Sequence, residues 1–222
     1  MFRRALLFAL LPAAALAEEA APNLDPLADT RPGVVAERVF AQQLYLHALA
    51  RKDALTMLAA ARLAGGVTLR KVEGQPETAG KALPAPPDAA PAPPDAAAMR
   101  AAAQVLVEPE ETLALLLEEG RAANALAPVG TARAIEATLS AGQSHSHTLP
   151  FDGAALAEVG LIEDGDARLA LRVTDAAGTA ICTPQTLGAP SLCSFSPRES
   201  GYFTVTVTNP GPGLSTYWLL SN

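Results

Sequence analysis

Few residues in this chain could do chemistry, and their spacing narrows what that chemistry would be. His145 and His147 stand two apart in an alternating segment, so both imidazoles point to one side of a strand. That spacing suits a zinc or copper chelate, but a stable site needs further ligands, and the third histidine, His47, lies far off in the sequence. Asp164, Asp166 and Asp175, with Glu163, form the best group of oxygen ligands for calcium, and solvated turn acids account for them equally well. The reading is therefore no metal and no cofactor, with those five Asp and His residues as the groups to check. Ser144 and Ser146 sit beside the histidines, but neighbouring side chains on a strand point apart and there is no nucleophile elbow. Glu108, Glu110 and Glu111 read as charges at a helix start rather than as an acid and base facing each other across a cleft. No catalytic residue is assigned, and the expectation is a protein that is not an enzyme.

The two cysteines, Cys182 and Cys193, enclose a short loop holding Gly188 and Pro190. In an exported chain such a pair suggests one disulfide; two buried thiols are the alternative, and a metal site would need ligands not found nearby. Export itself is suggested by residues 1–17. Arg3 and Arg4 precede a short apolar run, and Ala15-Leu16-Ala17 gives a small-x-small cleavage pattern. The run is shorter than the ~20 residues that span a bilayer. Residues 1–17 are thus expected to be a signal peptide, with a periplasmic or secreted product and no membrane span.

Charge excludes one class of partner. The chain carries 16 Lys+Arg against 23 Asp+Glu. Loss of the signal would remove Arg3 and Arg4 and no acid, leaving 14 against 23, a net of −9. Such a balance opposes nucleic-acid binding.

The positioning elements fall into two sorts. Residues 18–33 carry Pro22 and Pro26 and read as a flexible lead-in. Residues 34–127 read as helical. Val35, Val39, Gln42, Leu46 and Leu49 recur at spacings of three and four, Asp53 can cap a second helix from Ala54, and Gly65-Gly66 ends it. Pro-Ala-Pro-Pro-Asp-Ala-Ala occurs twice in tandem, at 84–90 and 91–97, so 82–95 is an extended spacer within the helical region. Asp95 can cap a third helix, Ala96 to Val107, and Pro109 can open a fourth.

Residues 128–222 read as strands at roughly ten-residue spacing, with turns at 140–142, 163–166, 175–178 and 209–213. Leu169, Leu171 and Val173 alternate with polar or small residues, as do Phe203, Val205 and Val207. The fold class is therefore α+β, with αα-hairpins followed by an antiparallel, jelly-roll-like sandwich. Pairing the last two strands as a hairpin about residues 209–215 sets Thr206 against Trp218 and Thr204 against Leu220. Tyr202, Trp218 and Leu220 then share an outer face that should be polar. A face of this kind is covered by something, either the helices or a ligand.

The run Asp164-Gly-Asp-Ala-Arg-Leu-Ala-Leu-Arg-Val-Thr-Asp175-Ala-Ala-Gly178 resembles the signature strand of bacterial pre-peptidase C-terminal domains. So does Phe195-Ser-Pro197 followed by Gly201-Tyr-Phe203-Thr-Val205-Thr-Val207 and Asn209, and so does Tyr217-x-Leu219 ahead of Asn222. The resemblance covers about Thr131 to Asn222. It implies a small jelly-roll sandwich of the kind appended to secreted enzymes, some of which bind calcium or extracellular matrix. Where such domains often read Asp-Leu-Asp-Leu, this chain reads Arg168-Leu-Ala-Leu171 and lacks the acidic groups. The helical part is similar to that of uncharacterised exported proteobacterial proteins. Together these readings point to an exported binding protein whose partner is an envelope or extracellular protein. A glycan, peptidoglycan included, is the second choice, and a cryptic hydrolase the last.

Overall fold

A computed structural model describes residues 21–26, 31–84, 93–107, 115, 130–163, 169–183 and 192–222. The segment expected to be a signal peptide, Asp164, Asp166, most of the proline repeat and the helix expected from Pro109 lie outside the described residues.

Helices α1 (Val34–Arg51) and α2 (Ala54–Gly65) form the expected hairpin. Lys52 makes the tight link in the left-handed region, at φ 55°, and Asp53 caps α2 by accepting from the Thr56 amide at 3.1 Å. The sequence then enters the sheets earlier than its periodicity predicts. Val67–Lys71 is a strand, β1, and Glu77–Ala79 a second, β2. Helix α3 (Ala96–Val107) follows, capped by Asp95 through the Ala98 amide at 2.8 Å. The remaining strands are β3 (Gly130–Leu139), β4 (Ser144–Phe151), β5 (Ala157–Glu163), β6 (Ala170–Thr174), β7 (Ala180–Cys182), β8 (Leu192–Phe195), β9 (Gly201–Thr208) and β10 (Ser215–Ser221).

The strands form two five-stranded sheets, β1-β3-β10-β5-β8 and β2-β4-β9-β6-β7. Pairing is antiparallel except for β1 on β3. The architecture is an α+β sandwich, not closed into a barrel. Because β1 and β2 edge one sheet each, residues 67–79 belong to the sandwich, and the helical region and the β region share both sheets. β2 also covers β4, so the His145–His147 strand is not the edge strand that its polarity suggests. The lead-in is anchored in part. Leu24 packs on the sandwich core and the Asp25 amide donates to the Ser196 carbonyl at 2.8 Å.

The core lies between the sheets. Leu171 and Val173 of β6, with Leu169 just before it, meet Phe203, Val205 and Val207 of β9 from one side. Ile135, Leu139, Val159, Leu161, Tyr217 and Leu219 meet them from the other. Alternation thus placed every inward side chain of β6 and β9 on the correct face. Cys182 and Cys193 are bonded, with Cα atoms 6.0 Å apart. Their strands, β7 and β8, are the edge strands at the same end of the two sheets, so the bond staples one sheet to the other.

The predicted β9–β10 hairpin does not form. β9 pairs with β4 and β6, while β10 pairs with β3 and β5 in the other sheet. The intervening Asn-Pro-Gly-Pro-Gly segment is an arch that crosses the ~10 Å between sheets. Asn209 pins it: its fully buried amide donates to the Leu139 and Gly213 carbonyls at 3.0 and 2.8 Å and accepts from the Gly211 amide at 2.9 Å.

Candidate functional site

The outer face of the β1-β3-β10-β5-β8 sheet is apolar because α1 lies on it. Val35 and Val39 of α1 pack with Val67, Ala132, Ala134, Ile162, Trp218 and Leu220. Two residues of β5 set the docking. At Gly160 a Cβ atom would stand 2.6 Å from both Val35 Cγ1 and Val39 Cγ2, so only glycine lets the helix come this close. Two residues earlier, Glu158 is fully buried, and its carboxylate accepts from the Gly33, Val35 and Ala36 amides at 2.8, 3.0 and 3.4 Å. Gly33 has no side chain to cap α1, and a carboxylate from the sheet satisfies the orphan amides and the helix dipole instead.

Beyond the end of this apolar patch the helices and sheet leave a cleft of about 400 Å³. Its sheet wall is Val67, Leu69, Lys71, Ala134, Glu136 and Trp218, and its helical wall includes Arg38, Ala64 and the start of α3 at Ala96 and Ala97, with Arg100. Arg38 is only 1% exposed although it is a cation in the buried stripe of α1. Its guanidinium donates to the Pro94 carbonyl at 2.9 Å and to Gln42 Oε1 at 3.5 Å, and its Cζ stands 5.9 Å from the Trp218 ring centroid. Burial pulls its pKa down to about 10, against the opposing pull of Asp95, so it stays charged at neutral pH. Lys71 approaches the same ring, Nζ 6.0 Å from its centroid, and pairs with Glu136 at 3.1 Å. Trp218 Nε1 is buried and has no hydrogen-bond partner among the described residues. An apolar wall and an aromatic ring near two cations, one of them a buried guanidinium, make a cleft fit to hold a small ligand or part of a larger one.

The residues singled out in the sequence are distributed differently. Trp218 is 7% exposed and Leu220 fully buried, both under α1, whereas Tyr202 is 64% exposed on the outer face of the opposite sheet. The expected surface of Tyr202, Trp218 and Leu220 is therefore not one surface. The face assigned to each residue is right, and the hairpin that was to join them is absent.

His145 and His147 point into the core, where both converge on one hydroxyl. Tyr217 Oη lies 2.9 Å from His145 Nδ1 and 3.0 Å from His147 Nε2. Burial lowers the pKa of both imidazoles, that of His147 to about 4 with a smaller contribution from His145, and raises that of Tyr217. The pair is a cross-sheet hydrogen-bond network, with one ring nitrogen of each imidazole occupied by a phenol. Asp175 is likewise committed: Oδ1 accepts from the Ala177 and Thr179 amides at 3.0 and 2.9 Å, and Oδ2 from the Asn23 amide at 3.1 Å. Its carboxylate builds its own turn and anchors the lead-in. Ser144 Oγ lies 2.9 Å from Thr208 Oγ1. Among the described residues no three His, Cys, Asp or Glu side chains are grouped as a metal site.

Arg38 and Glu158 were missed in the sequence, and each had a signal. Arg38 falls between Val35, Val39 and Gln42 on the stripe that must be buried. Glu158 interrupts the apolar run of β5, a strand covered on both faces. No family model matches the chain, and no curated protein matches it. Among the described residues no helix is long and apolar enough to cross a membrane.

Proposed function

We propose that this is an exported, non-enzymatic binding protein of the bacterial cell envelope, and that the cleft beside Trp218 is where it recognises its partner. The observation that carries the reading is Arg38, a charged guanidinium kept buried at the wall of the cleft. Burying a cation is costly. A fold that needed only to cover Trp218 would do better with an aliphatic residue there. The disulfide supports an oxidising compartment, in keeping with the signal-like start of the sequence. The two five-stranded sheets suit the likeness to pre-peptidase C-terminal domains, and that likeness is part of this proposal. The partner in this reading is an envelope protein or a glycan that places one group in the cleft.

Ala97 provides the test, because it lines the cleft yet is itself exposed. Ala97→Phe should fill the cleft and leave the melting temperature within a degree or two. Partners captured from an envelope extract by the wild type should be lost by the variant, and purified peptidoglycan in parallel separates the glycan from the protein partner. Undiminished capture by a folded Ala97→Phe protein would remove the cleft from the function.

A further inference from the structure

We infer that the cleft takes a small amphiphile with a single oxyanion head, a carboxylate or a phosphate, on an apolar body. This rests on the cleft being the binding site and names the chemistry of what enters it. The body is set by Val67, Leu69, Ala64, Ala134 and the Trp218 ring. The head is set by a balance of charge that comes out positive in a chain of net charge −7. Five charged side chains line the cleft: Arg38, Lys71 and Arg100 against Asp95 and Glu136. Glu136 is paired with Lys71, and Asp95, the cap of α3, keeps a charge that acts on Arg38, so three cations against two acids leave one positive charge over. Among the described residues neither Arg38 nor Arg100 forms an ion pair. Two of the five guanidinium N–H groups of Arg38 are used, both on neutral acceptors. Ala96 and Ala97 add the first amides of α3, which have no acceptor within their own helix and sit at its positive end. A cleft lined by two guanidinium-bearing residues and the first turn of a helix favours a planar or tetrahedral oxyanion over a hydroxyl or an amine. The unpartnered Trp218 Nε1 marks the same wall as a place where hydrogen bonding is incomplete.

Trp218 is the only tryptophan in the chain, so its emission reports occupancy directly. The full chain is titrated with octanoate, octyl phosphate, octanol and octylamine by tryptophan fluorescence and calorimetry. Saturable binding of octanoate or octyl phosphate is expected, at least tenfold tighter than octanol, and whichever anion binds tighter identifies the head. Arg100→Gln, at a side chain with no hydrogen bond to the described residues, should weaken the anions at least fivefold and leave octanol unchanged. If octanol or octylamine binds as tightly as the anions, or Arg100→Gln leaves anion affinity unaltered, the oxyanion assignment is overturned while the cleft stands as a binding site. If none of the four probes saturates, both readings are overturned.

Discussion

Acidification should destabilise this protein through its core histidines, and the size of the effect can be worked out in advance. Tyr217 has one hydroxyl proton. With both imidazoles neutral it can donate to one ring nitrogen and accept from the N–H of the other, which satisfies the three atoms that meet. Protonating either imidazole buries a positive charge between the sheets. That burial, with a smaller push from His145, holds His147 near 4 when folded against about 6.5 when unfolded. Between those values the unfolded chain binds the extra proton, so stability is complete above pH ~6.5 and is lost as pH falls. The two values give a loss of roughly 2 kcal/mol between pH 7 and pH 5, with a ceiling of about 3 kcal/mol below pH 4. His145 shifts in the same direction and adds to it. Denaturant unfolding at pH 7, 6 and 5 measures the loss, and His147→Gln isolates it, because glutamine can still meet the Tyr217 hydroxyl but does not titrate. The variant should lose about 2 kcal/mol less than the wild type over that interval. Parallel curves for the two proteins, or an imidazole resonance of His147 titrating near pH 6.5 in the folded state, would refute the network.

Three further outcomes follow from the packing. Gly160→Ala puts a methyl 2.6 Å from two valine methyls of α1 and should cost ~1–3 kcal/mol by lifting the helix from the sheet, read as a lower denaturation midpoint. Glu158→Gln turns a donor group toward amides that need acceptors and should cost ~1–3 kcal/mol; Glu158→Ala should cost more, and an unchanged midpoint in either would mean α1 is held by apolar contact alone. Exported protein should show no free thiol before reduction, and breaking the Cys182–Cys193 bond should lower stability by ~3 kcal/mol, since the bond closes an 11-residue separation.

What could be read from the sequence was what period and end signals encode. Helix α3 begins and ends where Asp95 and the apolar spacing put it, and Asp53 caps α2 as its position suggests. The inward residues of β6 and β9 follow from simple alternation, which needs no knowledge of partners. Partners are where inference stopped. β1 and β2 are short, mostly exposed edge strands, and Val67–Lys71 has one fully buried residue from which to recognise a strand. Their stability comes from pairing with β3 and β4, more than sixty residues away in sequence, and no local pattern records that. Asn-Pro-Gly-Pro-Gly signals a change of direction without saying whether the chain returns in the same sheet or arches to the other. The buried amide of Asn209, which donates to the Leu139 carbonyl at the end of β3 as well as to Gly213, ties the arch to the other sheet.

That one ambiguity accounts for how the binding surface was misplaced, and for what the sequence still had right about it. Trp218 and Leu220 alternate with Tyr217 and Leu219 along a strand buried at every position. Such a strand must be central and covered on both faces. Large apolar side chains on its outer face therefore require a cover, and α1 is that cover. A cover of purely apolar residues would leave Trp218 as structural filling. The stripe that α1 lays down is instead broken at Arg38, beside the ring, and the helix that reaches the other side of the cleft carries Arg100. Covering Trp218 explains why Val35 and Val39 are where they are. It does not explain a buried guanidinium hydrogen-bonded only to neutral acceptors in a cleft whose three cations outnumber its two acids, and that excess of positive charge is the argument for a ligand.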